Sequence, residues 1–410
     1  MENIKVNTWF GLKWTVLGTI VQMSVQLIQL FVLSKYLGPT LYGEAMLGVI
    51  IVRMLNPFAI AGVGNVLIQE KNLSQEQLST LFYCNLIFSV VVYLLLFCTA
   101  PLFSIIFTFP NFVIFTRIGA LILLFYGISN ISNSLLIKEL EFKNLNKIQI
   151  ASSLLELFIS LTITYLGMGE WALLLGFLSR VVLSSVLQVF VGKKYFFPTF
   201  FGKISEIKSI LMKCTYNMSA QTINMLSTNM DNLLVGKYFG ITNLGYYTLA
   251  WDLALKPVYA IIPMFMKVKM PIWAKLKQNK EDLLKDFKQS IFRLSLPLIL
   301  LYFVGYFITP YLLPFWYGEK WLPSVALLQI LIFIGMTRCV GSLTNTLALT
   351  LGFFKVEFYI NCFQLFCYLI LLPMSIYFFQ DMAVFCWVMV LGYVAMDTIW
   401  YVFLWRKFFT

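Results

Sequence analysis

Asn217, Gln221, Asn224, Thr228 and Asp231 recur at spacings of 4, 3, 4 and 3 residues, so all five fall on one face of a helix. The same ladder stands 202 residues earlier as Thr15, Thr19, Gln22, Gln26 and Gln29. Amides and hydroxyls inside apolar stretches tie helices together at roughly 0.6 kcal/mol each. Two helices that keep one polar face in register exceed that need, and they predict a water-filled cavity lined by both. Six bases also lie within apolar segments: Arg53, Arg117, Arg180, Lys256, Arg293 and Arg338. Each costs roughly 2.5–3.5 kcal/mol to insert, so each must face water, a partner or the interface. Arg117, Arg180 and Arg338 can also snorkel to an interface. Arg53, Lys256 and Arg293 are therefore the stronger candidates for the cavity.

Acids inside the segments are few: Glu156, Asp231, Asp252 and Asp397. Asp252 and Lys256 stand at i, i+4 and can pair locally. The surplus of bases points to an anionic substrate, most simply a phosphate or a sugar carboxylate. Asp231 ends its ladder where the repeat has the neutral Gln29, which makes it the candidate for taking up a proton or Na⁺; an ion pair with Lys237 or Arg338 is the structural alternative.

What is missing narrows the chemistry further. Histidine is absent, which removes the commonest metal ligand and both the Ser-His and Cys-His nucleophile arrangements. The seven cysteines form no C-x-x-C pair and read as small core residues. No Gly-rich phosphate loop, zinc spacing or glycosidase-type acid pair is present, so neither an enzyme nor a cofactor is expected.

These polar groups sit in an extremely apolar chain. Of 410 residues 60% are hydrophobic and 12% charged, against roughly 45–50% and 25% in soluble domains, which excludes a soluble protein. A hydrocarbon core about 30 Å thick needs roughly 20 apolar residues per helix. Twelve such segments can be marked, near 14–34, 43–66, 80–104, 112–135, 148–168, 171–192, 213–236, 243–266, 288–310, 323–350, 355–379 and 383–404. The first is expected to be an uncleaved span. The runs are apolar nearly all round and lack the alternation of a strand barrel, so the fold class is an all-α integral membrane protein.

With an inside N-terminus, twenty-one loop bases fall inside and three (Lys35, Lys237, Lys320) outside, which puts both termini in the cytoplasm. The net charge of +12 is thus loop charge and no sign of nucleic acid. Ser34–Gly43 returns as Gly236–Gly245 with five identities, and Leu55-Asn56-Pro57 returns as Leu255-Lys256-Pro257, predicting a proline kink in both. The chain then divides into two parallel six-helix halves around a central polar cavity: a lobe over 1–192, a basic cytoplasmic linker over 193–212 and a lobe over 213–410. The Lys-rich stretch 266–288 reads as an amphipathic helix lying on the cytoplasmic leaflet.

Several short stretches carry a family likeness. They are Gly11-Leu12-Lys13-Trp14, Gly62-Val63-Gly64-Asn65-Val66-Leu67-Ile68-Gln69, Lys138-Glu139-Leu140-Glu141-Phe142 and Gly167-Met168-Gly169-Glu170-Trp171-Ala172-Leu173. Further on come Asp231-Asn232-Leu233-Leu234-Val235-Gly236, Leu244-Gly245-Tyr246-Tyr247, Gly318-Glu319-Lys320-Trp321 and Leu328-Gln329-Ile330-Leu331. In this order the chain resembles bacterial polysaccharide flippases of the Wzx-like polysaccharide transporter family, in the multidrug/oligosaccharidyl-lipid/polysaccharide exporter superfamily, and is similar in particular to the colanic-acid-exporter type.

The resemblance implies a two-lobed helical transporter in the bacterial inner membrane. Such a protein moves an undecaprenyl-pyrophosphate-linked oligosaccharide outward by alternating access, for exopolysaccharide, capsule or O-antigen lipopolysaccharide. Membrane lipids, a polysaccharide polymerase and the export machinery are the implied partners, with proton or Na⁺ coupling as a candidate drive. Many relatives continue beyond a twelfth segment, and a chain ending at Thr410 is expected to lack those helices. Two other readings stay open: a multidrug or organic-cation antiporter, which would favour acids in its cavity, and an O-antigen polymerase or ligase, which would place a sizeable catalytic loop outside.

Overall fold

The computed structural model describes residues 2–70, 73–107, 111–199, 202 and 204–409. Lys71, Lys203 and Thr410 lie outside the described residues, as do the side chains of Lys5, Lys13 and Lys267. Regular structure among the described residues is helical throughout: α1 (Glu2–Ala59), α2 (Val63–Gln69), α3 (Gln75–Ile106), α4 (Phe112–Lys138), α5 (Phe142–Tyr165), α6 (Gly169–Gly192), α7 (Ile204–Leu234), α8 (Ile241–Leu276), α9 (Lys280–Ser290), α10 (Leu296–Tyr317), α11 (Pro323–Leu351), α12 (Phe354–Phe379) and α13 (Met382–Leu404). Ten helices among the described residues are long and apolar enough to cross a membrane. An apolar solvent requires each backbone N–H to be satisfied within its own segment, and helices do this.

The count of ten differs from twelve apolar segments for two physical reasons. The first two segments form the single 46-residue apolar stretch Trp14–Ala59, broken at Gly38, whose φ of 70° and ψ of 172° are non-helical. The ladder-bearing α7 is too polar to count as a span by composition.

Gly240, the counterpart of Gly38 in the repeat, has φ 87° and ψ 167° and separates the π-helical turn Val235–Phe239 from α8. Two glycines 202 residues apart thus hold the same backbone conformation, one that essentially glycine alone adopts. Pro57 sits in the last turn of α1 and Pro257 inside an uninterrupted α8, so the break in α1 is at glycine.

Packing divides the chain into two compact units, 1–229 and 230–410. In the first, α5 packs on α6 and α1, and α3 on α4. Small residues allow this closeness: a Cβ on Gly176 would stand 2.0 Å from Ser160 Oγ, and one on Gly127 2.1 Å from Ser89 Oγ. In the second, α11 packs on α8 and α13, and α12 on α13.

The repeat marks a division at 193–212, whereas packing places it within α7. The reason is that Phe196, Ile207, Ile210 and Cys214 are buried against Val63, Leu67, Leu78 and Leu135 of the first unit. Polar ties hold the same stretch. The Gly202 N–H donates to Thr80 Oγ1 at 3.0 Å and Gln75 Nε2 to the Tyr195 carbonyl at 2.9 Å. Residues 193–199 and Gly202 are therefore docked along the ends of α2 and α3.

The stretch 266–288 is not one surface helix. α8 continues to Leu276, the chain turns, and α9 begins under an Asn279 cap. Trp273 is fully buried and its Nε1 donates to Asp286 Oδ2 at 2.8 Å, while Lys269 Nζ donates to Asp286 Oδ1 at 2.7 Å. The aromatic residue expected at the lipid surface instead pins the helical hairpin shut.

Candidate functional site

In the first unit α1, α4, α5 and α6 enclose a crevice of about 400 Å³. Gln22 lines it from α1, Asn133 from α4, Gln149 from α5, and Arg180 and Gln188 from α6. Arg180 Nη1 donates to Glu156 Oε2 at 3.2 Å. Phe177, one turn before Arg180, has both guanidinium groups near its ring, with Arg180 Cζ and Arg53 Cζ each 5.0 Å from its centroid. Attraction between cation and ring holds two bases together that would otherwise repel. Arg53 itself is exposed.

The ladder of α1 divides along its length. Gln22 Oε1 accepts a hydrogen bond from Gln149 Nε2 at the crevice, and Thr15 Oγ1 accepts from Asn146 Nδ2 at 3.3 Å. Gln29 is buried and donates to Ser160 Oγ at 2.9 Å, so it ties α1 to α5. Gln26 lies half-buried between them.

The α7 ladder behaves in the same divided way. Asn217 Nδ2 donates to the Gly62 carbonyl at 2.7 Å and fixes α7 to the end of α1. Gln221 is half-buried, and Asn224 and Thr228 are exposed, with the Thr228 hydroxyl donating to the Asn224 carbonyl at 2.9 Å. Asp231 belongs to the second unit and is buried, 2% exposed. Tyr247 Oη donates to its Oδ2 at 2.6 Å and Asn232 Nδ2 to its Oδ1 at 3.2 Å. Its described partners are thus neutral donors, and neither Lys237 nor Arg338 pairs with it.

Arg338 instead donates from Nη1 to Asp397 Oδ1 at 2.8 Å. Gly341 makes room for this pair, since a Cβ there would stand 2.0 Å from Asp397 Cγ. Lys256 Nζ meets Asp252 Oδ2 at 2.7 Å, the i, i+4 pair read from the sequence. Arg293 is exposed on the π-helical turn Ile291–Ser295. Arg117 Nε donates to the Phe97 carbonyl at 3.3 Å.

Glu156, read from the sequence only as one of the few acids that could partner a base, meets Arg180 of the crevice lining. The signal was there: Ser152, Glu156 and Ser160 lie at i, i+4 and i+8, a polar face on α5 turned to the bundle interior. At the loop end of the same bundle, Glu141 accepts hydrogen bonds from Lys194 and from Tyr195 Oη, the latter at 2.7 Å. The Lys194 contact, then the Tyr195 hydroxyl, hold the Glu141 carboxyl below its ordinary range, and the same carboxylate raises Lys194.

A bundle of membrane-length helices with paired bases and acids inside each unit is the build of a multi-pass membrane protein. The fold agrees: the structure titled as the inward-facing conformation of a multidrug resistance MATE family transporter of the MOP superfamily matches with a TM-score of 0.69 at 14% identity, over 94% of this chain and 97% of that one. Residues 32–326 match the family described as "Polysaccharide biosynthesis protein", and the chain belongs to that family. It is 28% identical to the teichuronic acid biosynthesis protein TuaB of Bacillus subtilis, over 88% of this chain and 74% of that protein. It is 24% identical to the lipopolysaccharide biosynthesis protein WzxC of Escherichia coli, over 90% and 75%.

Proposed function

We propose that this protein flips a lipid-linked oligosaccharide, carried on undecaprenyl pyrophosphate, from the cytoplasmic to the outer leaflet of the bacterial inner membrane for exopolysaccharide, capsule or O-antigen synthesis. The observation that carries the reading is an amide-lined crevice that includes Arg180, set inside a membrane bundle of the polysaccharide biosynthesis family. An oligosaccharide headgroup needs such a lining, because each hydroxyl taken from water must find a new partner.

The basic end of the bundle, with Lys138, Lys194 and Lys213, lies in the cytoplasm together with both termini. The glycine break in α1 and the ladder helix α7 then bring the spans to twelve, in two six-helix halves that alternate access. Arg53, Lys256 and Arg293 serve the anionic part of the substrate, and Gln22, Gln26, Gln29, Asn217, Gln221, Asn224 and Thr228 its polar surface. A cation antiporter fits less well, since Glu156, Asp252 and Asp397 are each already paired with a base.

Deleting the gene and extracting lipid-linked oligosaccharide tests the reading. Repeat units should accumulate on the cytoplasmic leaflet. Single repeat units already on the outer leaflet would point to a polymerase instead.

A further inference from the structure

We propose that the crevice of the first unit is a subsite for uncharged sugar groups, hydroxyls and acetamides, and does not take the lipid's phosphates. This rests on the flipping function proposed above and assigns the sugar-reading part of it to α1, α4, α5 and α6.

Three observations support it. The first is charge. The base in the crevice lining, Arg180, has its positive charge met by Glu156 at 3.2 Å. A phosphate binding Arg180 would have to displace Glu156 and lie against its carboxylate, whereas a neutral ligand leaves that pair intact. Arg53, beside the Phe177 ring but not in the crevice lining, is left to the anionic part of the substrate. The second is unused hydrogen-bonding capacity. Asn133 and Gln188 line the crevice and make no side-chain hydrogen bond among the described residues. Gln149 and Gln22 spend one donor and one acceptor on each other, which leaves an amide oxygen on the first and an NH₂ on the second. A planar amide offers a donor and an acceptor side by side, which suits neighbouring hydroxyls or an acetamido group.

The third observation is shape and place. A volume of about 400 Å³ falls within the range of pockets that enclose small ligands, roughly 300–1,000 Å³. Asn133 lies toward the end of α4 and Gln188 toward the end of α6, beside the Glu141–Lys194 loops. That is the basic end of the bundle, where a cytoplasmic substrate arrives. Phe142 and Tyr126 add ring surface to the lining, as sugar faces require.

The test uses the full chain in lipid nanodiscs and two probes: lipid-linked oligosaccharide extracted from the strain that carries the gene, and undecaprenyl pyrophosphate without sugar. Asn133→Leu/Gln188→Leu removes polar groups that hold no side-chain hydrogen bond among the described residues. It should weaken binding of the glycolipid at least tenfold and leave binding of the sugar-free lipid unchanged. Gln188→Leu alone carries the same prediction, with a smaller loss, should the double variant fail to insert. Equal weakening of both probes would overturn the inference in favour of a phosphate site, and unchanged glycolipid binding would overturn it outright. Wild-type protein that binds neither probe would overturn the flipping function itself.

Discussion

Gly62 lies backbone to backbone against Cys214: a Cβ on Gly62 would stand 2.2 Å from the Cys214 carbonyl oxygen and 2.7 Å from the Met218 amide nitrogen. With φ at +65° and its own carbonyl accepting from Asn217, Gly62 is the point where the end of α1 grips α7. The clash is with backbone, which cannot swing aside. Gly62→Ala should therefore lower the thermal midpoint in detergent more than Gly38→Ala, whose Cβ would meet open space and whose penalty is the strained conformation alone, about 1–3 kcal/mol. Equal losses at the two positions would remove the grip.

The pair of Arg338 and Asp397 predicts non-additive stability. Among the described residues Asp397 Oδ2 and Arg338 Nε are buried without a hydrogen bond, so the Asp397 carboxylate rests on the one contact at 2.8 Å, while Arg338 also lies over the Tyr393 ring at 5.8 Å. Removing one partner of a buried pair strands the other, at about 3–5 kcal/mol, while removing both is far milder. Asp397→Asn should thus destabilise more than Arg338→Gln/Asp397→Asn. Unfolding of the four proteins of this cycle by denaturant measures it, and additive losses would contradict it.

Periodicity made some of this legible and hid the rest. It gave the helices, the Lys256–Asp252 pair four residues apart, and the glycine shared by the two repeats. It could not give Arg180–Glu156 or Arg338–Asp397, because a helical face names a direction and not the neighbour standing there. The break in α1 falls where the first two apolar segments are separated in the sequence, between 34 and 43, and Gly38 carries the unusual dihedral angles there. The basic stretch after α6 reads as a cytoplasmic linker by composition. Its Tyr195 and Phe196 are what dock it, and two aromatic residues among lysines leave no periodic trace.

Glu141 makes stability sensitive to acid. Its carboxyl is held below the ordinary glutamate value of about 4.3 by Lys194 and Tyr195, so the folded state binds fewer protons than the unfolded state between the two values. The contribution is therefore fully present above that ordinary value and is lost as pH falls through the lowered one. The thermal midpoint of wild type should exceed that of Glu141→Gln at neutral pH, and the gap should close in acid below pH 4. A gap that persists there would exclude the charge as its cause.

The topology predicts opposite labelling of two exposed positions. Lys280 opens α9 just after the Lys-rich end of α8, and Tyr238 lies exposed on the turn before α8. In a background in which the exposed Cys98 is replaced, Lys280→Cys should be shielded from an impermeant thiol reagent in intact cells and Tyr238→Cys should react. Labelling at 280 would invert the model with both termini inside.

A substitution at Asp231 tests what drives the step. It is buried, and its described partners are Tyr247 and Asn232, so no base neutralises it within those bonds. A carboxylate held by neutral donors can accept a proton or a Na⁺, and the loss of its charge would favour one arrangement of the helices around it. The alternative needs no ion: moving one negative charge outward across an inside-negative membrane gains about 2.3 kcal/mol per 100 mV, so a substrate with two charges would gain roughly 4–5 kcal/mol from the potential. Flipping in proteoliposomes separates the two. Asp231→Asn should slow flipping several-fold and abolish its response to an imposed proton or Na⁺ gradient, while the response to membrane potential persists. Tyr247→Phe, which keeps the carboxylate and removes one donor, should retain the gradient response. A well-inserted Asp231→Asn protein with unchanged gradient dependence would leave the potential as the drive and Asp231 as a buried tie between α7 and α8.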